Sequence, residues 1–241
     1  MAIKFTCTDK KLYRLKGEGK NMAIVIDGII GAGKSTVGHF LSEALEIPIF
    51  EELKDDGKDS LAQRMLDRFY ADQTRWSAII QVMFLNDRFK DIKRIEAQGN
   101  YAILDRSIYG DEIFAKTIHE RGQMTADEFH IYRDLLHNML NHINPPQVLI
   151  YIDVTVDTAM ARINKRARST EGDLIPRDYM MDLRRNYELW FEQFDLCPKV
   201  RIDLNNSALD SEGNVKETVR NQILTAIKPY IQSNDAFTMD S

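Results

Sequence analysis

Cysteine is nearly missing from this chain, with two residues, Cys7 and Cys197, among 241. They stand far apart and form no metal-ligand spacing, so two reduced thiols are expected rather than a disulfide framework. Long apolar runs are missing too: nothing approaches the ~18 residues of a membrane-spanning helix. The N-terminus is charged and lacks the apolar core of a signal peptide, so no membrane partner and a cytoplasmic location are expected. Nor is there a surplus of positive charge. The net charge of -5 argues against broad nucleic-acid binding. No internal repeat, low-complexity tract or interdomain linker is visible. With 44% hydrophobic and 29% charged residues, the composition is that of an ordinary globular protein. The length suits one α/β domain with an ample core.

What is present begins at Ile24 to Ser35, Ile-Val-Ile-Asp-Gly-Ile-Ile-Gly-Ala-Gly-Lys-Ser. The apolar run Met22 to Ile26 stops at a glycine-rich turn that leads into a helix-like segment, Lys34 to Leu45. Gly28, Gly33, Lys34 and Ser35 fit G-x-x-x-x-G-K-[ST], the loop that cradles phosphate. Glycines let successive N–H groups turn inward around an anion, and the following helix adds its positive end. Gly28, Ile29, Ile30, Gly31, Ala32, Gly33, Lys34, Ser35 and Thr36 are therefore the expected ATP-binding loop. Lys34 would bridge the β- and γ-phosphates, and the Ser35 hydroxyl would hold Mg2+.

Strands alternate with helices along the rest of the chain. Short apolar runs at Ile47 to Phe50, Tyr101 to Leu104, Val148 to Ile152 and Val200 to Leu204 read as strands. Leu61 to Gln98 has a helical period with a break near Asp72-Gln73 and an end at Gly99-Asn100. Asp111 to Glu120, Ala126 to Ile143, Val156 to Arg166, Tyr179 to Phe194 and Val215 to Ile231 read as further helices. The expected fold is a five-stranded parallel sheet flanked by helices on both faces, an α/β P-loop kinase fold with an arginine-rich lid. Residues 1 to 21 are an extension, 22 to 231 the domain, and 232 to 241 a frayed tail.

In such a sheet the strand ends converge on one rim. Glu52 follows the second strand, and Asp105 and Arg106 follow the third. If the acceptor is an alcohol, a nearby carboxylate can take its proton as the phosphoryl group arrives. Glu52 is the candidate base, Glu51 its rival, and Arg106 the group that orients it and stabilises transferred charge. Asp105 reads either as a magnesium ligand through water or as a capping carboxylate. Arg162, Arg166 and Arg168 precede the polar stretch Ser169 to Asp173, and arginines there are expected to close over a triphosphate.

With Asp105-Arg106-Ser107-Ile108-Tyr109-Gly110-Asp111 added, the chain closely resembles the deoxynucleoside kinase family, from about Met22 to about Phe194. The phosphate loop, a strand-end glutamate, Gln-x6-Arg and [DE]-R-S recur in order. The resemblance implies ATP-dependent 5'-phosphorylation in nucleotide salvage, with Mg2+ as cofactor and a homodimer as the assembly. It implies that Gln81 pairs with the nucleobase, that Arg88 and Asp111 form a base-reading pair, and that Phe114 packs on the acceptor. Tyr70 and Glu171 would hold the sugar 3'-hydroxyl. Gln81 to Phe89 and Leu104 to Phe114 most resemble bacterial deoxyadenosine and deoxyguanosine kinases, so a purine deoxynucleoside is the expected acceptor. Ile80, Leu53 and Ala167 depart from the family pattern, which often has an aromatic, a proline and a glycine there. The alternatives are deoxycytidine as acceptor, a nucleoside monophosphate kinase, and a nucleotide-binding regulator. A monophosphate acceptor needs no base but needs cations around it, which suits Glu52, Gln81 and Tyr70 less well.

Overall fold

A computed structural model describes residues 23–51, 60–166, 175–205, 208–210 and 213–231. Its centre is β1 (Ala23–Asp27), a strand buried along its whole length. Flanked on both edges and covered on both faces, it reads as a continuous apolar run rather than an alternating one. The sheet order is β2-β3-β1-β4-β5, every pairing parallel, with β2 (Ile49–Phe50), β3 (Ala102–Asp105), β4 (Val148–Asp153) and β5 (Lys199–Asp203). After β1 the chain winds to one side, and after β3 it crosses to the other. That reversal opens a crevice at the carboxyl ends of β1 and β3, where a doubly wound sheet binds ligands.

The helices are α1 (Lys34–Leu45), α2 (Leu61–Ala71), α3 (Gln73–Gln98), α4 (Asp111–Glu120), α5 (Ala126–Leu140), α6 (Val156–Arg166), α7 (Arg177–Gln193) and α8 (Glu217–Ile227). Alternation along β1 divides the core. Ile24 and Ile26 pack with Val37 and Leu41 of α1, Ala159 of α6 and Ile223 of α8. Val25 and Ala23 pack with Leu85 and Ile92 of α3 and Leu136 of α5. Helices thus cover both faces, as expected. Among the described residues no helix is long and apolar enough to cross a membrane.

Boundaries differ from the sequence reading where a local group intervenes. The long helix breaks at Asp72, whose backbone N–H donates to Arg68 and ends α2 while its side chain accepts from the Arg75 N–H and starts α3. Gly99, at φ 69°, ends α3 as expected. The helix expected to reach Ile143 stops at Leu140, because His142 and Ile143 bond three residues back in a tightened turn. α7 starts at Arg177, two residues early, with Pro176 as its extended N-cap residue. The last helix yields at Ile227 to a 3-10 turn, Lys228–Tyr230, around Pro229. The N-terminal arm and the tail lie outside the described residues.

Candidate active site

The phosphate loop follows β1 directly. Gly31 (φ 76°) and Gly33 (φ 99°) occupy left-handed backbone, and a Cβ on Gly31 would stand 2.6 Å from the Ala159 carbonyl oxygen. Side chains are excluded there by conformation and by space. α1 begins at Gly33 with no side-chain cap and no acidic residue in its first turn among the described residues. Its leading N–H groups and positive dipole end are therefore left for an anion. The Lys34 ammonium donates to the Ile29 carbonyl at 3.2 Å, which curls it back over the loop. Ser35 Oγ donates to Asp105 Oδ2 at 2.5 Å, joining the helix start to the end of β3. Asp105 is buried, and its Oδ1 has no hydrogen-bond partner among the described residues. A hydroxyl beside a buried carboxylate with an unmet oxygen fits a magnesium ion that keeps several of its waters.

A cavity of about 550 Å3 runs from this loop toward α3 and α4. Ile30, Gly31, Gly33, Lys34 and Ser35 of the loop line it together with Tyr70, Gln81, Arg88, Asp111 and Phe114, and so do Asp105 and Arg106. The expected substrate residues that can be described thus meet in one space. Arg88 Nη1 lies 2.6 Å from Asp111 Oδ1, and both side chains are nearly sealed from solvent, which fixes the guanidinium's direction. Gly28, Ile29 and Ala32 shape the loop without lining the cavity, and Thr36 is half-buried in the first turn of α1. The Arg162 guanidinium binds the carbonyls of Ala32 (2.9 Å) and Leu204 (2.5 Å), so it braces the loop from outside the cavity lining. Arg166 ends α6; Arg168, Glu171 and Glu52 lie outside the described residues. Glu51, the rival base, does line the cavity, with its carboxylate 2.9 Å from His39 Nε2.

Sequence reasoning missed Asp27, Tyr187 and His39. Asp27 is fully buried, and its Oδ1 accepts from the Gly28 N–H at 2.9 Å and from the Tyr187 hydroxyl at 2.7 Å, with Arg106 Nη1 at 3.4 Å. Arg106 also donates to the Tyr187 oxygen. Burial pushes the Asp27 carboxyl above the usual carboxylate range, and Arg106, Tyr187 and Lys34 pull it back in part. A charged residue ending an otherwise apolar buried strand was the available signal. Tyr187 gives no such signal, since its helical spacing reads as core.

A phosphate loop, a strand-end arginine and an adjoining cavity on one rim define a phosphotransferase, a nucleotide-binding enzyme of the P-loop kind. Residues 24–228 match the family model described as deoxynucleoside kinase. The chain belongs to the deoxynucleoside kinase family. It is 38% identical over 213 residues to a deoxyguanosine kinase of Lactobacillus acidophilus, covering 85% of this chain and 90% of that protein. To a deoxyadenosine kinase of the same organism it is 37% identical over 200 residues, covering 80% and 89%. Among solved structures, deoxyadenosine kinase from M. mycoides with bound dATP superposes at a TM-score of 0.70 and 29% identity, covering 86% of this chain and 100% of that one. The same enzyme with bound dCTP gives 0.70 and 28%, with the same coverage.

Proposed function

We propose that this enzyme transfers the γ-phosphoryl group of ATP to the 5'-hydroxyl of a purine deoxynucleoside. The observation that carries the reading is that Lys34, Ser35, Gln81 and the ion-paired Arg88 and Asp111 line one shared cavity. The glutamine amide offers a donor and an acceptor, which match N6 and N7 of adenine. An arginine held by Asp111 matches acceptor atoms such as O6 and N7 of guanine. Arg106 stabilises charge on the phosphoryl group in transit. Glu52 is the proposed proton acceptor, and Glu51, which lines the cavity, is its rival. Ser35 and Asp105 would hold Mg2+, which neutralises phosphate charge and so assists the transfer. Tyr70 and Glu171 hold the sugar, Phe114 packs on the acceptor, and Arg166 and Arg168 close on the triphosphate. Two copies of the chain form a homodimer.

Deoxycytidine is the second reading, favoured by the dCTP-bound structure of the M. mycoides relative. Initial rates with ATP–Mg2+ against deoxyadenosine, deoxyguanosine, deoxycytidine, thymidine and dTMP, each alone, test both. The highest kcat/KM is expected for a purine deoxynucleoside. A preference for deoxycytidine would replace the purine reading, and turnover on dTMP alone would refute a nucleoside acceptor.

A further inference from the structure

Asp27 has no part in the transfer as described, yet one of its oxygens joins the halves of the site. Asp27 Oδ1 accepts from the first N–H of the phosphate loop, from Tyr187 of α7, and faces Arg106 Nη1. Arg106 is buried, and its φ of 70° is a left-handed conformation that a side-chain-bearing residue adopts only when its surroundings impose it. Its N–H donates to the Ile26 carbonyl, one residue before Asp27, at 2.9 Å. The guanidinium lies 4.4 Å from the centre of the Phe114 ring, and that ring stands edge-on to Tyr187 at 6.0 Å. A Cβ at Gly110 would come within 2.4 Å of Asp27 Oδ2, so the carboxylate packs closely against the Gly110 backbone.

We propose that Asp27 is a positioning residue: directly and through the Tyr187 hydroxyl, it fixes the Arg106 guanidinium relative to the phosphate loop. It touches no substrate. It acts by keeping the arginine of the acceptor side and the first turn of the donor side at one distance. This rests on the reading that Arg106 acts on the phosphoryl group.

The test is steady-state kinetics of the full chain with ATP–Mg2+ and its best deoxynucleoside, on Asp27→Asn, Tyr187→Phe, Arg106→Lys and the Asp27→Asn/Arg106→Lys pair. Circular dichroism accompanies each. Loosening the arginine should lower kcat by about tenfold to a hundredfold in each single variant, with KM for both substrates within about threefold. In the Arg106→Lys background, Asp27→Asn should add less than about twofold, because both changes act on one interaction. Tyr187→Phe keeps the ring and its packing, so it remains informative if Asp27→Asn folds poorly. The inference is overturned if the Asp27 and Tyr187 variants keep the parent kcat while Arg106→Lys loses it. It is equally overturned if Asp27→Asn costs the same factor in both backgrounds. Full activity of Arg106→Lys would instead refute the role of Arg106 itself, and this inference with it.

Discussion

Glu51 and Glu52 show where a single residue decides the chemistry. The strand-end carboxylate was legible from the apolar run that precedes it, but two glutamates adjoin, and of the two only Glu51 lies among the described residues. Glu51 lines the cavity beside His39. Glu52→Gln is expected to lower kcat by about 10²- to 10⁴-fold with nucleoside binding retained, the usual reach of a general base. Glu51→Gln should stay within about threefold of the parent on the same scale. The opposite pattern would give the base role to Glu51. Asp27 makes a separate prediction. Burial raises its pKa in the folded state, so between the ordinary value of about 3.9 and the raised one the folded chain holds a proton the unfolded chain has lost. The unfolded state then binds fewer protons, and stability falls as pH rises through that window. Asp27→Asn removes the titration. Its unfolding free energy, measured by urea denaturation from pH 4 upward, should gain on the parent's as pH rises; parallel profiles would refute this.

At the scale of elements, local capping sets where helices begin. α5 opens with a capping box: Thr125 Oγ1 accepts from the Glu128 N–H at 3.2 Å, and Glu128 accepts from the Thr125 N–H at 2.8 Å. Thr125→Ala should cost about 1 kcal/mol, and about 2–4 °C in Tm for a chain of this size. No residue of α5 is among the cavity lining, so kcat should be unchanged. A loss of activity without a loss of Tm would contradict this account. Element type was legible because the apolar period differs between helix and strand, and because Gly99 and Asp72 are strong punctuation. Length was less so. The strand expected from Ile47 is only Ile49–Phe50, since the Ile47 N–H is taken by Ser42 as α1 closes and Pro48 has no N–H to give. Such competition is set by neighbours in space, which periodicity does not report.

For the whole molecule, the site was legible as a set of motifs and not as a network. Motifs at the ends of β1, β2 and β3 had to converge once a parallel sheet was inferred. The tie between Asp27, Tyr187 and Arg106 spans more of the chain than any motif, and packing alone brings it together. The homodimer proposed above would likewise be a property of the assembled surface. α3 turns Ile80, Gln81, Phe84 and Arg88 to the cavity, while Ile79 and Val82, three apart and so on one face, are 52% and 37% exposed. Ile131 on α5 is 66% exposed. Apolar side chains on a helix face are the material from which a two-fold interface is built. Light scattering should therefore give twice the mass of one chain for the parent. Ile79→Glu/Val82→Glu places like charges opposite one another across a two-fold axis and should shift the mass to that of one chain. A parent already at the mass of one chain would refute the dimer. A doubly substituted protein still at twice that mass would move the interface away from this face of α3.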